Sequence, residues 1–191
     1  MNFSVVVLAG GPSIRMGRDK ALLTYGGESF LDRLRREFAG CGELLISGRE
    51  LPGTLPANLR CISDETQGLG PAGGILTALH ECSSEVLVTL GCDMPLYDLD
   101  FALRLLSRLG PREDALVPRT PDGRLHTVGA VYRKRCAPHM YGQLQSGRRS
   151  LRQLLSELNT GIYPADSPED MRALININTP QDYLALLSEL N

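Results

Sequence analysis

At 191 residues the chain is long enough for one well-packed domain, and neither a linker-like stretch nor a low-complexity block divides it. An apolar share of 42% suits a globular protein, and no uninterrupted apolar run approaches the roughly 20 residues of a bilayer span, which excludes an integral helical membrane protein. With 20 basic against 22 acidic side chains the net charge is −2, so nonspecific nucleic-acid binding is not expected, and the short cluster Arg133, Lys134 and Arg135 reads as a solvated face.

The chain enters an apolar stretch at once, without the basic flank, long apolar core and small-residue cleavage site of a signal peptide, so a cytoplasmic location is expected. Five cysteines, Cys41, Cys61, Cys82, Cys92 and Cys136, are scattered and include no CxxC, so they read as reduced, packed thiols.

Residues 3–8 have strand length and open the most informative segment, VVVLAGGPSIRMGRDKAL over residues 5–22. Gly10 and Gly11 carry no Cβ and let backbone N–H groups approach a ligand closely, while Arg15 and Lys20 supply cationic donors. Five residues separate Gly11 from Gly17, and Arg18 follows, so neither GxxxxGK[ST] nor GxGxxG is present. A strand ending in a glycine-rich, basic loop is suited to hold phosphate.

Helical periodicity follows at 30–38, strands at 43–46 and 59–62, a helix at 75–79, a strand at 86–90 and a helix at 101–109. This alternation predicts βαβ units, a mainly parallel sheet with helices on both faces, and ligands gathered at the carboxyl ends of the strands. Residues 116–119 and 128–132 read as strands around the turn Pro121-Asp122-Gly123, a hairpin or edge excursion that makes the sheet mixed. Helices are expected around 136–144 and 150–158, then an apolar run over 173–177 that ends in Asn178. Thr179 as N-cap, Pro180 in the first helical position and Asp182 in the first turn predict a last helix.

Two further segments carry chemistry. Residues 86–95, VLVTLGCDMP, form a buried-strand pattern that delivers Asp93 just past its carboxyl end, with Pro95 stiffening the backbone. A carboxylate there suits a hard cation such as magnesium or, alternatively, the capping of a following helix. Residues 63–74, SDETQGLGPAGG, follow another strand and lead into the helix at Ile75; their four glycines permit close backbone approach, and the helix N-terminus can face an anion or a base edge.

VVVLAGGPSIRMGRDKALL, the SDE…GLGPAGGI segment, LVTLGCDMPL and the late NINTP resemble, in the same order, the molybdenum cofactor guanylyltransferases, also called molybdopterin-guanine dinucleotide synthases. The opening LAGG…RMG…K is shared by a wider group of Rossmann-like nucleotidyltransferases. The resemblance implies a single-domain, three-layer α/β/α fold of the nucleotidyltransferase type. Such an enzyme binds GTP with Mg2+ and joins GMP to the terminal phosphate of molybdopterin, releasing pyrophosphate. By motif it places Leu8, Ala9, Gly10 and Gly11 against the guanine nucleotide, Lys20 and Arg15 on its phosphates, and Asp64 on the nucleoside. It also makes Asp93 the metal ligand, with Asn178 a second candidate and Asn176 a weaker one.

Within the group, LAGG with a GP loop resembles the guanylyl branch, and LAAG without that loop the cytidylyl branch; this chain has LAGG and, at Gly70 and Pro71, GPAGG. Two departures stand out. Ser47 or Gly48 occupies the position of a nucleotide-contacting Asn, and His126-Thr127 replaces a His-Pro pair. His126, Arg148 and Arg149 are the pterin-side candidates. GTP and molybdopterin are the implied substrates, with room for transient cofactor-delivery proteins. The rival readings are a cytidylyltransferase or sugar-phosphate nucleotidyltransferase with the same apparatus, and a noncatalytic nucleotide-binding module.

Overall fold

A computed structural model describes residues 3–10, 16, 19–63 and 68–190. Strand β1 (Ser4–Leu8) leads through a short 3-10 turn at Lys20–Leu22 into a small hairpin, β2 (Thr24–Tyr25) and β3 (Glu28–Ser29), and then helix α1 (Phe30–Glu37). The chain continues through β4 (Glu43–Ser47), β5 (Leu59–Ile62), α2 (Gly70–Glu81), β6 (Val86–Gly91), α3 (Leu99–Arg108), β7 (Ala115–Arg119) and β8 (Val131–Arg133). It closes with α4 (Ala137–Gln145), α5 (Leu151–Ser156), β9 (Thr160–Pro164), α6 (Pro168–Ala173) and α7 (Pro180–Ser188).

Among the described residues, seven strands form one sheet in the order β5-β4-β1-β6-β8-β7-β9. Strand β1 is parallel to both neighbours, with Val6 opposite Leu45 of β4 and Thr89 of β6, and only β8 runs antiparallel to the strands beside it. The expected α/β architecture with a mainly parallel, mixed sheet is therefore observed.

Both faces of β1 are apolar because both are covered. Val5 and Val7 share a core layer with Leu44, Ile46, Val88 and Leu90 under α1 and α3. Val6 points the other way, joining Leu45 and Leu87 under α2, α4 and α5. At roughly 1.5–3 kcal/mol per fully buried aliphatic side chain, these two layers dominate the weaker intrinsic preference for strand. No helix is long and apolar enough to cross a membrane among the described residues. All five cysteines are free thiols, four of them buried.

The chain moves outward from β1 to β4 and β5, then returns to lay β6 on the other side of β1. That reversal opens a crevice beyond the carboxyl ends of β1 and β6, where open α/β sheets bind ligands.

Several expectations need correction. Helix α2 begins at Gly70 rather than Ile75, because Pro71 suits its first turn, and burial of Gly73 and Gly74 against the sheet overrides their poor helix preference. Strand β8 starts at Val131 rather than 128: Gly129 has φ +96°, which breaks the ladder, and a Cβ there would meet Met94 Cε at 2.9 Å. Of the two readings of the 116–132 region the hairpin is found, with β7 and β8 paired antiparallel, and the edge excursion is not, since β8 lies between β6 and β7 and the unexpected β9 forms the edge. The Thr179 cap is found as expected, with a reciprocal capping box to Asp182.

His126 lies buried beside the 120–124 turn, its backbone N–H donating to Pro118 O at 2.9 Å and its Nε2 3.2 Å from Thr120 Oγ1. Burial pushes the imidazole down from 6.5 to about 4. In acid the unfolded chain therefore takes up a proton that the native state does not bind, and stability falls as pH drops. Chemical denaturation should show His126 costing on the order of 2 kcal/mol between pH 6.5 and pH 4, a loss that disappears in His126→Gln. An unchanged pH slope in that variant would contradict the burial argument.

Candidate functional site

The end of β1 is fixed from both sides. Ala9 N–H donates to Ser47 O at 2.9 Å, and Cys92 N–H donates to Leu8 O at 3.0 Å. At this end Gly10 packs directly on Gly48: a Cβ on Gly48, where φ is +78°, would lie 2.6 Å from Gly10 Cα. Two glycines are thus required to seat the start of the loop against the turn after β4.

Strand β6 ends at Gly91, and Asp93 follows in a tight turn closed by Met94 N–H to Gly91 O at 3.0 Å. The Asp93 carboxylate folds back over Gly91, so that a Cβ on Gly91 would stand 2.4 Å from Asp93 Oδ1. The late segment is fastened to the same turn, with Ile177 N–H donating to Asp93 O at 2.8 Å. Asp182 accepts the backbone N–H of Asn178 at 2.9 Å and of Thr179 at 2.8 Å, and these bonds hold its carboxyl below the usual aspartate range. Capping of α7 and placement of Asn178 are one arrangement.

Lys20 closes the constellation. Its Nζ donates to Asp93 Oδ2 at 3.1 Å and to Asn178 Oδ1 at 2.6 Å, while Asn176 Nδ2 donates to Asp93 Oδ1 at 3.3 Å. Side-chain exposures of 18% for Lys20 and 21% for Asp93 keep solvent from fully screening their attraction. The 3-10 turn that carries Lys20 is capped by Asp19, which also forms an ion pair with Arg49 from the loop after β4.

Leu8, Ala9, Gly10, Asp19, Lys20, Pro71, Gly91, Cys92, Asp93, Val128 and Asn176 line an open cleft of about 240 Å³. Gly10 and Asp93 therefore share one rim, as the sequence reading requires. Cys92 contributes no second anion, because burial, aided by Asp93, pushes its thiol up to about 11 and keeps it protonated at neutral pH.

Other expected residues stand elsewhere. Gly11, Arg15 and Asp64 lie outside the described residues. Ser47 is buried and absent from the cleft lining, acting there through its backbone carbonyl, and Gly70 gives its place on the rim to Pro71. His126 is not among the cleft-lining residues and packs against the 120–124 turn. Arg148 pairs with Glu157 at the end of α5, whereas Arg149 Nη1 lies 3.4 Å from Gly68 O beside the start of α2. The Asp19–Arg49 pair and the Gly10–Gly48 contact were missed: each joins segments about 30 or more residues apart with no spacing signal, although a glycine ending a strand hinted at the second.

Residues 5–161 match the model of the MobA-like NTP transferase domain. The chain belongs to that family. Two relatives named as probable molybdenum cofactor guanylyltransferases agree nearly end to end. One, from Methanothermobacter thermautotrophicus, is 32% identical over 94% of this chain and 96% of its own length. The other, from Bacillus subtilis, is 31% identical over 97% of this chain and 95% of its own. The molybdopterin-guanine dinucleotide biosynthesis protein A of Archaeoglobus fulgidus has the same fold, with a TM-score of 0.81 at 21% identity and 98% coverage of both chains. A Thermus thermophilus 2-C-methyl-D-erythritol 4-phosphate cytidylyltransferase also shares it, at TM-score 0.75 and 18% identity over 99% of this chain and 98% of that one. The recognition read from the motifs is borne out, and the chain is a nucleotidyltransferase.

The geometry at Gly91 provides a test of placement separate from chemistry. In Gly91→Ala the methyl and the Asp93 carboxylate cannot both keep their positions, and the carboxylate, as the end of a flexible side chain, must swing away. The variant should fold with a melting temperature close to wild type and lose turnover by about 100-fold. Full activity would show that the orientation of Asp93 over Gly91 is irrelevant.

Proposed function

We propose that this chain transfers GMP from GTP to the terminal phosphate of molybdopterin, forming the guanine dinucleotide form of the molybdenum cofactor and releasing pyrophosphate. The observation that carries this reading is that Lys20 and Asp93 line one cleft with Gly10 while Lys20 bonds both Asp93 and Asn178. The choice of guanine rests on the LAGG and Gly70-Pro71 motifs and on relatives named as guanylyltransferases over nearly their whole length.

In this scheme the backbone from Leu8 to Gly11 receives the nucleotide, Arg15 and Lys20 meet its phosphates, and Asp64 meets the nucleoside. A phosphate oxygen of molybdopterin attacks the α-phosphorus of GTP; the bond from that phosphorus to the bridging oxygen breaks, and pyrophosphate leaves with the electron pair. The attacking phosphate is already ionised at neutral pH, so no protein nucleophile is needed, consistent with a protonated Cys92. The protein aligns the reactants and offsets developing charge. Among the pterin-side candidates, the contact of Arg149 with Gly68, near the helix that brings Pro71 to the cleft, supports a role for it there.

Asp93 and Asn178 fit a magnesium ion: both are hard oxygen donors, and Lys20 Nζ shows that Asp93 Oδ2 and Asn178 Oδ1 converge on one point. Among the described residues no group of three or more His, Cys, Asp or Glu can hold a metal, so phosphate and water oxygens must complete its shell. When bound, the ion would neutralise charge on the triphosphate. Delivery proteins for the molybdenum cofactor would act transiently, and the reaction needs neither nucleic acid nor a membrane.

With magnesium present, GTP at about 100 times its Kd should stabilise the chain by about 2.7 kcal/mol, a melting shift of a few degrees that CTP and UTP do not match. An equal or larger shift with CTP would sink the guanine assignment. Asp93→Ala and Lys20→Ala should stay folded and lose turnover by about 100-fold or more; near-normal activity in either would contradict its role.

A further inference from the structure

Lys20 Nζ stands where a cation should stand. It lies 3.1 Å from Asp93 Oδ2 and 2.6 Å from Asn178 Oδ1, the two oxygens assigned above to magnesium. We propose that Lys20 is a built-in substitute for the divalent ion: without nucleotide its ammonium fills the position between Asp93 and Asn178 and keeps metal out, and it leaves when a triphosphate draws it away. This rests on the reading of Asp93 and Asn178 as metal ligands.

The pair of oxygens is preformed from behind rather than gathered by the metal. Asn176 holds the other carboxylate oxygen of Asp93 at 3.3 Å, Ile177 N–H holds its backbone carbonyl at 2.8 Å, and Asp182 holds the N–H of Asn178 at 2.9 Å. A rigid pair of acceptors with one negative charge is satisfied by one ammonium. An ammonium and a dication cannot share that point, because like charges a few ångströms apart repel strongly at a partly screened site.

The ligand count favours the lysine while the nucleotide is absent. Magnesium demands near-octahedral oxygen coordination and gives up its water reluctantly, and one carboxylate with one amide is a meagre offer. A triphosphate changes both sides of the competition. It adds oxygens and charge for the metal, and it gives the ammonium anionic acceptors within reach of its flexible four-carbon stem. The backbone of Lys20 need not follow, since the capped turn and the Asp19–Arg49 pair anchor it. Metal and nucleotide then bind with positive coupling, each raising the affinity for the other by the same factor.

The test uses Mn2+ alone, without nucleotide, followed by electron paramagnetic resonance and calorimetry on the full chain. If the lysine vacates the site less than about a tenth of the time, its removal should tighten binding about tenfold or more. Lys20→Met is therefore expected to bind one Mn2+ at least about tenfold more tightly than wild type, and the double variant Lys20→Met/Asp93→Asn should lose that site. Lys20→Gln serves as the second variant, with circular dichroism checking the fold. Unchanged or weaker Mn2+ binding in folded Lys20→Met and Lys20→Gln would overturn the proposal, as would unfolding of both, which would make the lysine a structural tie. If these results appear in a wild-type protein that forms dinucleotide, only the substitute role fails; if wild type forms none, the reaction fails, whatever the Mn2+ data show.

Discussion

One ammonium joins the beginning, middle and end of this chain. Lys20 reaches Asp93 across 73 positions of sequence and Asn178 across 158, and the contact with Asp93 depends on β6 lying directly beside β1. That adjacency follows from the outward run to β4 and β5 and the return to the other side of β1. The site is thus a consequence of strand order. Every residue that meets there is carried by a segment leaving the carboxyl end of a neighbouring strand or by the α7 cap that packs against the same turn.

Glycine supplies the tolerance for this crowding. Gly48 and Gly10 allow two turns to touch backbone to backbone, and Gly91 leaves room for the carboxylate two residues ahead to fold back. Apolar layers on both faces of the sheet hold the strands that these turns terminate. The chemistry then needs little more from the protein than a fixed array of charge, which suits a family whose substrates bring their own phosphates. Membership of the MobA-like NTP transferases and the local arrangement point to the same division of labour.

Much of this was legible beforehand because it depends on local rules. The apolar strands β1, β4 and β6 announced themselves by composition, Asp93 by its place just after one of them, and α7 by Thr179, Pro180 and Asp182. What stayed hidden depends on distant partners. Strand β9 contains Gly161 and Pro164, poor strand formers, and exists because β7 offers it a parallel edge. The early start of α2 needs the burial of Gly73 and Gly74, which no periodicity reveals. His126 is a pterin-side candidate only by its likeness to a motif pair, and its burial beside Thr120 depends on the fold. The pairing of Lys20 with Asp93 and Asn178, though each was singled out for a ligand, required the fold.

The most direct measurement follows the phosphorus atoms of GTP. Wild-type protein is incubated with Mg2+, molybdopterin and GTP labelled either at the α- or at the γ-phosphate, and the products are separated. The account predicts α-label in a guanine dinucleotide and γ-label in pyrophosphate, in equal amounts. Release of γ-label as inorganic phosphate, or α-label remaining in GTP or free GMP while molybdopterin is untouched, would contradict it.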